Sequence, residues 1–275
     1  MTTERDTRPY VQVENLVARY GNRTILDGVS CSARRGEITV ILGGSGSGKT
    51  TLLRHIVGLL TPSAGRVLID GRDIHRASEE EQEAILRNVG MSFQAGALFN
   101  SMTLEENIAL PVMEHAHADR ATANTLARMK LALVGLERAA RLLPAELSGG
   151  MKKRAAVARA LALDPALLLF DELSAGLDPV TARELDELVL RLKAQFDVAI
   201  VVVTHELSSI QMIADRAVML HDGRVLAAGT LDEVRAMDHP QVRAFFDRRP
   251  RSTAVQHGLL DALLVDGGTH GENPA

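Results

Sequence analysis

The chain has no tryptophan, a single cysteine, two tyrosines and a net charge of only −4, and each scarcity removes a class of protein. One cysteine, Cys31, leaves no internal disulfide framework; it suits a reducing compartment and reads as a small buried apolar residue. The longest apolar runs, Val198–Val203 and Ala166–Phe170, fall far short of the roughly 20 residues that cross a bilayer. Any membrane step must therefore be supplied by another chain. Residues Met1–Tyr10 lack the apolar core of a secretory leader. The weak acidic balance gives no footprint for nucleic acid. With 275 residues, 46% hydrophobic and 24% charged, the composition is that of an ordinary globular protein with a substantial core.

Against these absences stands one dense motif. Gly43–Thr50 reads Gly-Gly-Ser-Gly-Ser-Gly-Lys-Thr, after the β-type run Ile38–Leu42 and before a helical pattern from Thr51. Strand, glycine loop and helix together form the context of a phosphate-binding loop. Gly43, Gly46 and Gly48 let successive N–H groups converge on an anion, and the new helix adds its positive dipole end. Lys49 can reach the β- and γ-phosphates, and the Thr50 hydroxyl suits Mg²⁺. A serine–glycine hairpin is the alternative, but it needs no Lys-Thr at this offset. The motif predicts a nucleoside triphosphate site.

Short β segments fill residues 11–42, with a turn at Gly21-Asn22. Arg66–Gly71 reads as a strand and turn, Glu79–Glu81 as the solvated first turn of a helix, and Val89–Phe93 as a strand. From Thr103 to Leu163 the pattern is mainly helical. β character returns at Leu167–Phe170, Val198–Val203, Ala217–Leu220 and Arg224–Leu226, with Asp222-Gly223 as a hairpin turn. Helices are predicted near 180–195, 206–215 and 231–247. This order fits a nucleotide-binding α/β core interrupted by a helical insert.

Two further stretches carry chemistry. Leu167–Phe170 is a continuous apolar strand that ends in Asp171 and Glu172, where ligands bind in parallel sheets. Asp171 would hold Mg²⁺ through water and Glu172 would polarise the water that attacks the γ-phosphate. Ser148, in Leu-Ser-Gly-Gly, is a natural helix N-cap, and Gly149 and Gly150 allow close backbone approach to an anion.

In order and spacing these motifs resemble the ATPase subunit of ABC transporters over residues 11 to about 247: phosphate loop, Gln94 in Ser-Phe-Gln, Leu-Ser-Gly-Gly, Asp171-Glu172, Ser-Ala-Gly-Leu-Asp178 and Thr204-His205. The resemblance implies an α/β P-loop NTPase (RecA-like) core with an antiparallel β subdomain and a helical signature subdomain at about 95–163. That cassette spans 11–250, between an N-terminal extension, 1–10, and a C-terminal tail, 251–275. It implies ATP and Mg²⁺ as ligands. Contacts to ATP would come from Gly43, Gly44, Ser45, Gly46, Ser47, Gly48, Lys49, Thr50 and Thr51, with Tyr20 stacked on adenine. Thr50, Gln94 and Asp171 would surround the metal, and Glu172, His205 and Lys49 would be the catalytic groups, with His205 as the γ-phosphate switch. A head-to-tail homodimer is implied, in which Ser148, Gly149 and Gly150 of one subunit complete the site of the other and Asp178 meets the partner. Two residues depart from the pattern: Met151 stands where glutamine is usual, and Leu173 where proline would fix φ after the catalytic acid.

The segment Phe99–Val112, the run Leu-Ser-Gly-Gly-Met-Lys-Lys-Arg and Asp238–Phe246 narrow the resemblance to the ATPases of Mla-type (MCE-linked) systems, which move phospholipids between bacterial membranes. That subset implies a membrane permease as partner, a periplasmic MCE protein, a small cytosolic adaptor, and a place at the cytoplasmic face of the inner membrane. Import of amino acids or other small solutes is one alternative, and a permease-free ABC ATPase of the iron–sulfur assembly type is another. In the tail, Leu259, Leu260, Leu263 and Leu264 would form one stripe if helical, which suits docking on the dimer or the adaptor.

Overall fold

The computed structural model describes residues 8–94 and 96–247. The proposed docking stripe at Leu259–Leu264 and most of the N-terminal extension therefore lie outside the described residues.

The chain opens with β1 (Val11–Tyr20), β2 (Arg23–Ala33) and β3 (Ile38–Gly43), then α1 (Lys49–Ile56). Next come β4 (Ala64–Ile69), β5 (Arg72–Asp73), α2 (Glu79–Leu86) and β6 (Val89–Ser92). Three helices follow, α3 (Leu104–Ala116), α4 (Arg120–Leu133) and α5 (Gly149–Ala160), then β7 (Leu167–Asp171) and α6 (Pro179–Gln195). The last large elements are β8 (Ala199–Val203), α7 (Leu207–Ile213), β9 (Arg216–His221), β10 (Arg224–Thr230) and α8 (Leu231–Ala236). A second, smaller unit begins at Asp238 and carries α9 (Pro240–Phe246).

Two sheets result. One is antiparallel, in the order β2-β1-β4-β5; the other runs β10-β9-β3-β8-β7-β6. In the second, β9, β3, β8, β7 and β6 pair in parallel, and only the β9–β10 hairpin is antiparallel. Every residue of β3, β7 and β8 is buried, which is why these strands read as unbroken apolar runs rather than alternating ones. Leu16, Leu26 and Val67 of the antiparallel sheet share one core with Leu52 and Leu53 of α1 and Ile41 of β3. Phosphate loop, antiparallel sheet and central sheet are thereby fixed against one another. This is the mixed α/β architecture with separate antiparallel and helical parts that the sequence led us to expect.

Local chemistry accounts for most boundaries. Ser78 and Glu81 form a reciprocal capping box at α2, and Thr103 and Glu106 do the same at α3. Asp222 and Gly223 both take positive φ, 47° and 76°, as the tight β9–β10 turn requires. The predicted helix over 231–247 is instead two helices. His239 is extended, at φ −134° and ψ 133°, because the Pro240 ring disfavours helical geometry in the residue before it. Burial pushes the Cys31 thiol up to about 12, in keeping with an inert side chain.

A buried polar chain crosses the region behind the β7 edge. Ser209 of α7 donates to Asp186 of α6 at 2.7 Å and lies 3.5 Å from Ser174, all three being buried. Burial lifts the Asp186 carboxyl above its usual range, while the Ser209 hydrogen bond acts the other way. A carboxyl with a raised folded-state pKa stabilises the fold at low pH, and that contribution is lost as pH rises through the folded value. Asp186→Asn keeps an acceptor for Ser209 and removes the buried charge. Its melting temperature should match the parent's near pH 4 and exceed it at pH 8 by about 2–4 °C, the scale of 1 kcal/mol in a chain of this size. Thermal denaturation at both pH values checks this; an equal offset at the two would contradict it.

Candidate functional site

Because β3, β6, β7 and β8 run in parallel, the loops that leave their carboxyl ends emerge on one edge of the sheet. Register carries this further: Ile41 and Asp171 both pair with Val203, so the ends of three strands lie side by side. The phosphate loop leaves β3, Gln94 follows β6, Asp171-Glu172 closes β7 and Thr204-His205 follows β8. Ligands of open α/β sheets bind along such an edge.

The phosphate loop is built on backbone that side chains would block. Gly43 has φ 147°, and a Cβ there would run into the Leu220 carbonyl oxygen of β9. Gly48, at φ 102°, is the N-cap of α1, and its Cβ would lie 2.5 Å from Leu26 Cδ2. Helix α1 therefore starts at Lys49, two residues before the predicted Thr51, and its free N–H groups open into the loop. The Ser47 hydroxyl is buried with no hydrogen-bond partner among the described residues. Lys49 Nζ donates to the carbonyls of Gly43 and Gly44, each at 3.0 Å. Burial draws the Lys49 pKa down, and the carboxylates of Glu172 and Asp171 oppose that shift.

Opposite the loop, Asp171 ends β7 almost completely buried, and Thr50 Oγ1 donates to its Oδ1 at 3.5 Å. Burial raises the Asp171 pKa, with the neighbouring Glu172 charge adding to the rise; Thr50, Arg54 and Lys49 pull it down. Glu172 has φ 51°, in the left-handed region that a branched or bulky L-residue seldom enters. Its Oε1 lies 2.8 Å from His205 Nδ1, which carries the proton when the carboxylate is ionised. Its Oε2 is buried and has no partner among the described residues. One oxygen of this acid is thus oriented while the other is bare, an arrangement suited to taking a proton from water.

The remaining sequence-predicted residues stand apart from this cluster or serve the fold as well. Tyr20, at the end of β1, is 51% exposed and presents its ring to solvent. Gln94 is exposed two residues beyond β6. Ser148 caps α5 by accepting from Met151 N at 3.2 Å, and Gly149 is exposed. Among the described residues no hydrogen bond joins Ser148, Gly149 or Gly150 to the phosphate loop. Gly150 also has a packing role, since a Cβ there would collide with Thr181 Cγ2 of α6. Asp178 caps α6, accepting from Val180 N and Thr181 N at 3.1 Å each, which holds its carboxyl below the usual range. Sequence reading passed over Lys153, whose Nζ donates to the main-chain carbonyls of Gln94 at 2.6 Å and Glu172 at 3.3 Å. Its only signal was its place in the run Leu-Ser-Gly-Gly-Met-Lys-Lys-Arg, on a helix predicted to be capped by Ser148.

The edge fits a triphosphate with a hard divalent cation. Among the described residues no group of three or more His, Cys, Asp or Glu side chains could hold a metal by itself. One hydroxyl beside one carboxylate, Thr50 and Asp171, is instead the pattern of Mg²⁺ held jointly with substrate phosphates.

Comparison with known proteins agrees. Residues 26–175, more than half of the chain, match the family model described as ABC transporter. The intermembrane phospholipid transport system ATP-binding protein MlaF of Haemophilus influenzae is 42% identical over 224 residues, covering 82% of this chain and 85% of the relative. The probable ribonucleotide transport ATP-binding protein mkl of Mycobacterium bovis is 39% identical over 270 residues, covering 94% of this chain and 75% of the relative. Among solved structures, a dimeric ATP-binding cassette in a post-hydrolysis state with ADP and Pi superposes with a TM-score of 0.73, at 31% identity over 80% of this chain and 98% of that one. With its phosphate loop, paired acids and histidine gathered on one sheet edge, the chain belongs to the ABC transporter family of ATP-binding proteins.

Proposed function

We propose that the chain is the ATP-hydrolysing subunit of an ABC system that moves phospholipid between bacterial membranes, working as a head-to-tail pair docked on a membrane permease. The observation that carries the hydrolytic part is Glu172, held through one oxygen by His205 and bare at the other, at the same edge as Lys49, Thr50 and Asp171. The phospholipid assignment is supported by 42% identity to an ATPase named for that transport, above the 39% to one named for ribonucleotides. Among the described residues no helix is long and apolar enough to cross a membrane, so the reading assigns that part to the permease. It places this chain at the cytoplasmic face of the inner membrane, with an MCE protein and a small adaptor as further partners.

In this reading the loop amides from Gly43 to Thr51 cradle the phosphates, and Lys49 turns from the Gly43 and Gly44 carbonyls to the β- and γ-phosphate oxygens. Tyr20 stacks on adenine; base–aromatic stacking is worth about 1–3 kcal/mol in comparable sites. Thr50, Asp171 and Gln94 would hold Mg²⁺, which when bound would supply positive charge against the phosphates. Water attacks the γ-phosphorus, its proton passes to Glu172 Oε2, and ADP leaves with its electron pair. His205 keeps Glu172 aligned and reaches the γ-phosphate. Ser148, Gly149 and Gly150 of the second subunit bring another helix N-terminus to the same charge, so triphosphate binding favours closure of the pair and hydrolysis relaxes it. Asp178 lies at the contact between subunits.

Purifying the tagged chain from membranes with its bound partners, followed by mass spectrometry of the extracted ligands, tests the transport assignment. Copurification of a polytopic membrane protein with phospholipid in excess of a detergent control is expected. Enrichment of amino acids or ribonucleotides instead would redirect it to solute import, and absence of a membrane protein would favour a permease-free ATPase.

Glu172→Gln should bind Mg-ATP as the parent does, lose about 10²–10⁴-fold in kcat, and accumulate as a closed nucleotide-bound dimer on gel filtration. Turnover near the parent's would remove Glu172 from the role of base.

Ser148→Arg places a bulky cation where the second subunit's phosphates would lie, and Lys49→Ala removes the phosphate contact from the loop. Each variant alone should be inactive. Mixed, they should regain hydrolysis, because one of the two shared sites is then built from intact halves. A mixture as inactive as its components would refute the head-to-tail arrangement.

A further inference from the structure

On either side of residue 95, Gln94 and residues 96–103 lie outside helix and strand, and side chains of α3 and α5 hold them at three points. Asn107 of α3, fully buried, accepts from Phe99 N at 2.7 Å and donates to Phe99 O at 3.1 Å, which fixes the far end. Arg159 of α5 donates to the Ala97 carbonyl and lays its guanidinium 4.8 Å from the centre of the Phe99 ring. Lys153, two turns earlier on the same helix, takes the near end through the Gln94 carbonyl at 2.6 Å. Between the two cations a Cβ on Gly96 would lie 3.7 Å from Ala156, so the main chain passes close to the helix surface there.

Lys153 differs from the other two anchors because its ammonium also has a main-chain partner outside the segment, the carbonyl of Glu172 at 3.3 Å. That carbonyl belongs to a residue in left-handed backbone, a geometry costing an L-residue on the order of 1–2 kcal/mol. The next residue is Leu173, whose φ no ring restricts. The turn is therefore held by hydrogen bonds to its peptide groups: Glu172 N donates to Val203 O at 2.8 Å on one side, and on the other Glu172 O accepts from Ala175 N at 3.2 Å within the turn and from Lys153, the donor that arrives from another element, at 3.3 Å. Burial draws the Lys153 pKa down, and the Glu172 and Asp171 carboxylates oppose that shift. An ammonium offers three donors at the end of a four-carbon stem, enough to serve two carbonyls that approach from different segments.

We infer that Lys153 is a positioning residue that locks the Gln94 segment to the backbone of Glu172, so that displacement of that segment is transmitted to the acid's turn. The inference rests on the reading of Glu172 as the base. Among the described groups, it makes this lysine the direct hydrogen-bonded tie between a segment beside the helical part of the chain and the main chain of the hydrolytic acid.

Lys153→Met, which keeps length and packing but has no donor, tests it in the full-length chain. Steady-state hydrolysis should fall about 10-fold in kcat with KM for ATP within about two-fold of the parent, the cost of a base that is present but misplaced. Amide hydrogen exchange over residues 96–99 should quicken, with little change in melting temperature. Lys153→Arg, which retains donors, should recover most of the lost kcat and the slow exchange. Should Lys153→Met not fold, Lys153→Gln, with one amide donor group, replaces it and should give an intermediate loss. A parent chain that does not hydrolyse ATP would refute the functional reading alone, since exchange can still be compared without turnover. Unchanged exchange over 96–99 in the donor-free variant overturns the tie, as does a kcat within two-fold of the parent.

Discussion

Burial of β3, β7 and β8 on both faces is the constraint from which the rest of the molecule follows. A strand with no solvent face cannot carry a reactive side chain along its length without burying an unpaired polar group. Chemistry is therefore confined to strand ends, and parallel pairing brings those ends to one edge. The glycine loop, the paired acids and the histidine come from segments distant in sequence, yet they meet because their strands are neighbours. The antiparallel sheet adds a second restriction: Leu26 presses against Gly48, so the first turn of α1 and the loop it closes are backed by packed side chains.

Much of this was legible in the sequence because it was written in local terms. An apolar run ending in Asp171-Glu172 marks both a doubly buried strand and its functional end, and Gly-Lys-Thr before a helix marks a loop that needs free backbone and a cation. Asp222-Gly223 named its own turn, since both residues tolerate positive φ. What escaped depended on partners remote in sequence. Nothing in Glu172 as a glutamate reveals a left-handed backbone; its peptide groups are bonded to Val203, Ala175 and Lys153, two of them remote in sequence. Gly150 looked like an approach point for an anion, whereas its neighbour Thr181 shows that helix packing alone already forbids a side chain there. The helical pattern over 231–247 continued through Pro240 in its amphipathic spacing, and only the steric rule for the residue before proline divides it.

Polar groups inside the chain divide into those satisfied by the fold and those left open. Asp186 with Ser209, and Asn107 with the carbonyls around Phe99, are internally completed and stiffen the connections they bridge. Among the described residues, Ser47 Oγ and Glu172 Oε2 at the carboxyl edge are buried without such completion, as are Thr39 Oγ1 within β3 and four further side-chain atoms. Leaving such atoms unpaired lowers stability by an amount on the order of 1–3 kcal/mol each. At the carboxyl edge a ligand's own oxygens or a water can supply the missing partner.

The hydrogen bonds from Lys49 to the Gly43 and Gly44 carbonyls have a consequence for how strongly the loop holds an anion. A free ammonium above a nest of amides would attract any small anion in the cell, chloride and orthophosphate included. Here two of the three ammonium donors already serve the loop's own carbonyls, so a ligand that recruits the lysine exchanges hydrogen bonds instead of meeting a bare cation. The affinity gained through Lys49 is thus a difference between two sets of hydrogen bonds, not the full attraction of an unpaired charge.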